Sequence, residues 1–188
     1  MDMPPELAQK TDEELALLVQ GNNDTAFGVL MNRYQPKMLR YGKRFLADES
    51  LIEDAVQEVF IKTYQNIQGF DGDRPFSPWI YRIAHNTFVN ALRQKSRNPI
   101  IAVDLDALIA HPSYERDPES EEEVAEIKKR IDEGLANLSS KYREVLILYY
   151  VENLSYQEIA DILRVPLGTV GIRMKRARES LKNYVDKT

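Results

Sequence analysis

Arg82, Asn86, Asn90, Arg93 and Arg97 recur at i, i+4, i+8, i+11 and i+15. On a helix that spacing makes one long stripe, and no acid falls in it. Arg and Asn are the side chains that best combine phosphate contact with hydrogen bonding to base edges. A merely solvated face mixes in Glu or Asp, so the stripe points to nucleic acid. Phe70, Phe76, Trp79, Tyr81 and Phe88 lie close by in sequence. Together with the stripe they suggest a site that stacks unpaired bases while holding their backbone. The plainer alternative makes the aromatics core, and for Trp79 and Phe88 it is the better account.

A second basic cluster ends the stretch Leu154 to Leu181. Ser155 and Glu158 are spaced as a capping box. A short helix follows, with Ile159, Ala160 and Leu163 on one face. Arg164, Val165 and Pro166 break it, and Pro166 suits the first position of a second helix. In that helix Val170, Met174, Ala177 and Leu181 form a buried stripe. Arg173, Lys175, Arg176 and Arg178 occupy the other face. Helix, tight turn and basic helix form the pattern of a helix-turn-helix. A surface hairpin with a solvated cationic face is the bland alternative. The joint occurrence of box, turn and basic face favours DNA.

Other chemistries find no support. There is no phosphate-binding G-x-x-x-x-G-K-[ST] loop and no G-x-G-x-x-G. The two histidines, His85 and His111, lack companions at ligand spacing. The chain has no cysteine, which removes thiol nucleophiles and Cys-ligated zinc. No cofactor is expected, and no enzyme. No apolar run approaches a membrane span and the N-terminus has no signal-peptide core, so direct membrane insertion is not expected and the reading is a cytoplasmic protein.

The elements that must position these faces are all predicted helical. The 188 residues, 43% of them apolar, suit one medium domain or two small ones. Thr11 and Glu14 form a capping box before a helix with Leu15, Leu18 and Val19, which Gly21-Asn22-Asn23 ends. Asp24 is expected to cap the next helix, and Pro36 to kink or split it. Asp48 caps a helix from Glu49 to about Gln68. Its inner stripe is Ile52, Val56, Val59, Phe60, Thr63 and Ile67, and its outer face is Glu53, Asp54, Gln57 and Glu58. From pattern alone, ordinary polar surface is the better account of that outer face, ahead of docking to a basic partner. Ser77-Pro78 starts the helix that carries the Arg/Asn stripe to about Arg97. From Asn98 to Glu119 prolines and acids interrupt all periodicity, which marks a linker. Ser120 and Glu123 cap a helix with Val124, Ile127, Ile131, Leu135 and Leu138, and Lys141 to Val151 is a further apolar helix. The formal net charge of −5 argues against DNA binding until its source is located in this linker and in the Glu121-Glu122-Glu123 run. The expected fold is therefore all-α: two small helical domains, residues 1–97 and 120–188, joined by an acidic linker over 98–119, with a C-terminal helix-turn-helix.

The runs EDAVQEVFIKTYQNIQGF, FSPWIYRIAHNTFVNALRQ and LSYQEIADILRVPLGTV…RMKRAR resemble the extracytoplasmic-function (ECF) sigma factors of bacterial RNA polymerase, over nearly the whole chain. The resemblance implies a promoter-specificity subunit that initiates transcription. It implies docking of Asp54, Gln57 and Glu58 on core polymerase, which revives the reading ranked second above. It implies recognition and opening of the −10 element by the Gly69–Phe76 loop, with Arg74 and Phe76, and by Arg82, Asn86, Asn90 and Arg93, one base being flipped into a pocket. It implies reading of the −35 duplex by the helix after Pro166, with Thr169, Ile172, Arg173, Lys175 and Arg176. The linker matches the segment that threads toward the polymerase active-site channel. An anti-sigma factor, often membrane-bound, is the partner that commonly holds such proteins inactive. After Gly168-Thr169-Val170 the family usually has a basic residue and then Ser, where this chain has Gly171 and Ile172. A free-standing helix-turn-helix regulator, indifferent to changes at Asp54 and Gln57, is the alternative reading. A helical adaptor for an acidic protein is a third.

Overall fold

The computed structural model describes residues 5–95, 130–131, 133–135 and 137–186. Every regular element among the described residues is a helix, as the all-α reading expects. The chain divides into two compact units, Met1–Ile101 and Ala102–Thr188. The linker expected over 98–119 and the Ser120/Glu123 box lie outside the described residues.

The first unit contains α1 (Pro5–Ala8), α2 (Asp12–Gln20), α3 (Asp24–Gly42), α4 (Glu49–Asn66), a 3₁₀ turn (Ile67–Gly69) and α5 (Phe76–Lys95). The Thr11/Glu14 capping box forms in both directions, at 3.2 and 2.8 Å. α2 ends where Asn22 takes a left-handed φ of 65°, a conformation Asn tolerates better than most residues. The cap of α3 is Asn23, not Asp24: its side chain accepts the Ala26 N–H at 3.1 Å. Asp24 already lies in the first turn, where the helix dipole favours its charge, and its carboxylate accepts the Tyr64 hydroxyl at 2.8 Å.

Pro36 does not split α3, which runs unbroken to Gly42. Its missing N–H removes one ladder bond, but Tyr34, Met38 and Tyr41 on either side are fully buried and hold the helix on its neighbours. The Asp48 cap accepts from Ser50 and Leu51 N–H. Ile52, Val56, Val59, Phe60, Thr63 and Ile67 are all buried as their spacing requires. The end of α3 closes tightly on α4 and α5: a Cβ at Gly42 would meet Ile52 Cγ2 at 2.9 Å and Phe88 Cε1 at 3.0 Å.

Helix α5 begins at Phe76, two residues before the expected start. The cause is a cap supplied from a distance: the Glu13 carboxylate accepts the Phe76 N–H at 2.9 Å. Ser77 therefore sits inside the first turn rather than at the cap. Pro78 is still in that turn, where its missing N–H loses no intrahelical bond.

In the second unit Arg130, Ile131, Glu133, Gly134, Leu135 and Asn137 are helical. They are followed by α6 (Ser140–Tyr150), α7 (Tyr156–Leu163) and α8 (Leu167–Val185). Ile131, Leu135 and Leu138 are buried as expected, while Val124 and Ile127 lie outside the described residues. Arg143 is buried and donates from Nε to the Leu135 carbonyl at 2.6 Å and from Nη2 to the Leu138 carbonyl at 2.9 Å. It thereby adds a second donor to the Leu135 carbonyl, which also accepts the Leu138 N–H at 3.2 Å, and serves the Leu138 carbonyl just past the helix.

Candidate nucleic-acid interface

Arg82, Asn86, Asn90 and Arg93 are exposed along one side of α5, while Ile80, Ala84, Thr87 and Phe88 on its other side are buried. The predicted stripe is thus a continuous solvent-facing row of donors from the first turns of the helix to its described end. Arg97 lies outside the described residues. His85, beside the row, is half-buried, with its Nδ1 3.4 Å from the Tyr41 hydroxyl.

Phe88 is core as expected, but the other aromatics depart from the reading. Phe76 is 0% exposed, so it offers no face to a base. It packs edge-on to Tyr34 and Phe70 at 5.4 Å and lies against Trp79 at 5.6 Å. Phe70, Tyr81 and Phe88 are likewise buried, and only Trp79 of the five is half-exposed. Large apolar rings gain more from burial than from projecting out of a polar loop. Phe70 and Phe76 pack with Trp79 beneath the ends of the Gly69–Phe76 loop rather than forming a stacking platform, while Tyr81 and Phe88 pack on Tyr41. Arg74 stands out from that loop, 78% exposed, 3.5 Å from Asp71.

In the second unit the Ser155/Glu158 box forms, at 2.6 and 3.3 Å. Ile159, Ala160 and Ile162 are the buried positions of α7, with Leu163 only half-buried. Arg164 closes the helix in a left-handed conformation, φ 53° and ψ 48°. The Val165 N–H returns to the Ala160 carbonyl at 3.1 Å, the bonding of a left-handed helix terminus. Pro166 is the residue before α8, one position earlier than predicted. Its carbonyl accepts from Thr169 and Val170 at 2.8 and 3.3 Å. Val170, Met174 and Ala177 are buried against the rest of the unit, and Leu181 is half-buried.

The outer face of α8 presents Ile172, 58% exposed, with Lys175 and Arg176 exposed and Thr169 and Arg173 half-buried. Lys175 lies 3.9 Å from Glu179, an exposed pair of little energetic weight. Arg176 Nη1 reaches the Tyr142 hydroxyl on α6 at 3.4 Å. That contact pulls the Tyr142 phenol below its ordinary range and pushes the Arg176 guanidinium further up. Arg178 lies over the rings of Tyr149 and Tyr150, at 5.7 and 5.4 Å, which aims it toward α6.

Asp54, Gln57 and Glu58 are exposed on α4. Glu58 pairs with Lys62 at 2.7 Å. Gln57 borders an open groove of about 640 Å³ between α3 and α4, floored by Phe27, Met31, Leu39, Phe60 and Tyr64. Phe27 and Met31, which spacing alone marks as core, are only half-buried because they face this groove.

Glu13, Gln20, Tyr142 and Arg143 carry contacts that sequence reasoning missed. Gln20, for instance, bonds to residues 47 and 50 positions away, and no local pattern announces such partners. Among the described residues there is no cluster of His, Asp and Glu that could hold a metal ion, and no helix long and apolar enough to cross a membrane.

Two helical units, one with a row of Arg and Asn along a helix and one with a helix-turn-helix, match two parts of the sigma-70 proteins. Residues 30–98 match sigma-70 region 2 and residues 128–181 match sigma-70 region 4. The ECF RNA polymerase sigma-E factor of Haemophilus influenzae is 36% identical over 183 residues, which is 94% of this chain and 96% of that protein. The RNA polymerase sigma-H factor of Pseudomonas aeruginosa is 36% identical over 93% of this chain and 94% of its own length. The ECF sigma factor SigW of Bacillus subtilis is 34% identical over 89% and 92%. Among solved structures, CnrH in complex with the cytosolic domain of CnrY aligns with a TM-score of 0.68 at 25% identity, over 94% of this chain and 97% of that one. The chain belongs to the ECF sigma factors of bacterial RNA polymerase. It directs the polymerase to specific promoters, and the free-standing regulator is not favoured.

Proposed function

We propose a division of labour among the exposed faces. The row Arg82, Asn86, Asn90 and Arg93, with Arg74 in the adjoining loop, holds the melted −10 strand. Thr169, Ile172, Arg173, Lys175 and Arg176 read the −35 duplex from α8. Asp54, Gln57 and Glu58, beside the α3/α4 groove, dock on core polymerase. The observation that carries this reading is the acid-free row on α5. A helix that needed only solubility would intersperse carboxylates, and a row without them repels no phosphate. Burial of Phe76 takes it out of the contact set and leaves the strand to be held by hydrogen bonds and charge.

On this reading the −10 row and the α8 reader are separate grips, one on single strand and one on duplex. Phosphate contacts supply affinity and position, and base-edge contacts supply choice. The chain works in the cytoplasm and performs no catalysis of its own; polymerase makes the RNA. A protein that sequesters the chain, of the anti-sigma kind, is supported by the likeness to CnrH, which was solved with CnrY bound.

The test is run-off transcription with core polymerase on a promoter library. Wild type is compared with Arg82→Ala, Arg173→Ala and Asp54→Ala. Arg82→Ala is expected to lower output most on fully duplex promoters and least on templates already opened at −10. Arg173→Ala should lose choice at −35, and Asp54→Ala should weaken binding to core. Transcription indifferent to all three substitutions overturns the assignment.

A further inference from the structure

The loop between α4 and α5 is held along its length by one face of α2. Glu13, Leu17 and Gln20 stand at i, i+4 and i+7, which places them on one side of that helix. Gln20 Nε2 donates to the Ile67 carbonyl at 2.8 Å and to the Phe70 carbonyl at 2.9 Å, where the loop begins. The Gln20 carbonyl accepts from Gln68 Nε2 at 3.0 Å. Glu13 takes the Phe76 N–H, where the loop ends. Between them Leu17 lies against the loop apex: a Cβ at Gly72 would sit 2.9 Å from Leu17 Cδ2 and 3.2 Å from Leu17 Cγ. Leu17 is 49% exposed, so its place on this face serves the loop more than the core.

Helix α2 is itself fixed. Asp12 pairs with Arg33 at 2.6 Å and accepts the Tyr34 hydroxyl at 2.8 Å, which ties the start of α2 to α3. A loop that must accept an extruded base gains affinity when its backbone is set before the strand arrives, because the ordering cost then falls on folding rather than on binding.

We propose that the Glu13–Leu17–Gln20 face of α2 is a splint that sets the conformation of the residue 67–76 loop, making these three residues positioning residues for capture of the −10 strand although none contacts it. The proposal rests on the assignment of that loop and of the α5 row to the −10 element.

The experiment uses holoenzyme reconstituted with core polymerase. The probe is a fluorescent single-stranded oligonucleotide carrying the non-template −10 segment of a promoter recovered from the library. Gln20→Glu keeps size but turns two donated bonds into carboxylate–carbonyl repulsion, and roughly tenfold weaker probe binding is expected. Glu13→Ala should also weaken binding, and Glu13→Gln, which keeps an acceptor, should restore most of it. Affinity for core polymerase should be unchanged in all three.

The cysteine-free sequence allows a second arm. Leu17→Cys with Gly72→Cys places two sulfurs within disulfide reach. In the Gln20→Glu background, oxidation should restore probe binding and reduction should remove it again. If Arg82→Ala weakens the probe while Gln20→Glu binds like wild type, the splint is overturned and the −10 assignment stands. If Arg82→Ala also binds like wild type, the −10 assignment itself fails. If Gln20→Glu weakens core and probe equally and the disulfide rescues neither, the residues merely fold the unit and the splint is again overturned.

Discussion

Gly171 offers a measurement that separates the stability of α8 from its proposed DNA contacts. It lies in the fifth position of α8, inside the helix and next to exposed Ile172. Glycine in a helix interior costs about 1 kcal/mol relative to alanine, because it leaves more backbone freedom to be lost on folding. Restoring a Cβ normally risks a clash, but here it would meet nothing within 4 Å. Gly171→Ala should therefore recover most of that cost, about 0.5–1 kcal/mol. For a unit of this size, that is a rise of roughly 2–8 °C in its melting temperature. The single tryptophan, Trp79, belongs to the other unit, so its fluorescence transition serves as an internal control that should not move while far-UV circular dichroism does. Gly168 is equally open but lies in the first turn, where fewer backbone bonds depend on it, so Gly168→Ala should gain less. A melting temperature unchanged or lowered by Gly171→Ala refutes the argument. Gly171→Arg adds to the same steric logic a cation on the face proposed to meet DNA. It should tighten duplex binding and steepen the dependence of log K on log salt by about 0.9. If affinity rises without a change in slope, the new side chain is not meeting a phosphate.

Two further outcomes follow from the first unit. Burial, with Asp12 beside it, holds the Tyr34 phenol well above its ordinary 10.0. Above pH 10 the unfolded chain gives up a proton that the folded chain keeps, so stability falls with rising pH, by up to about 1.4 kcal/mol per pH unit for this group. In denaturant titrations from pH 9 to 11, Tyr34→Phe should show a shallower alkaline decline than wild type, and equal slopes would contradict the assignment. Gly42→Ala forces a methyl against Ile52 and Phe88 and should cost about 1–3 kcal/mol. The readout is the Trp79 transition, with duplex binding by the other unit unaffected.

The faces were legible where a single helix decides them. The α4 stripe and the α5 row both follow from 3.6-residue periodicity, and the two capping boxes follow from side chains three residues apart. What escaped the sequence was set by partners far along the chain. The start of α5 depends on Glu13, 63 residues earlier, so the local Ser77-Pro78 signal placed it two residues late. The cap of α3 went to Asn23 because Asp24 had a better use beneath Tyr64. Pro36 failed to break α3 because packing on both sides outweighs one lost hydrogen bond. Phe76 is the most instructive miss. A turn-rich loop with aromatics reads as a binding surface, but Phe70 and Phe76 at its two ends turn inward and leave the loop to polar residues.

Helix α8 has a tight far end. A Cβ at Gly134 would lie 2.6 Å from Leu181 Cδ1 and 3.2 Å from Tyr184 Cδ1, and the Tyr184 hydroxyl reaches Glu133 at 3.3 Å. The same rod therefore has a tightly seated end, while its solvent-facing beginning carries the contacts proposed for the −35 duplex. Substitutions along it should change phenotype in order, from altered choice of promoter near Thr169 to loss of soluble protein near Leu181. Drift toward a new promoter sequence can then proceed at one end of the helix without disturbing the seat of the other.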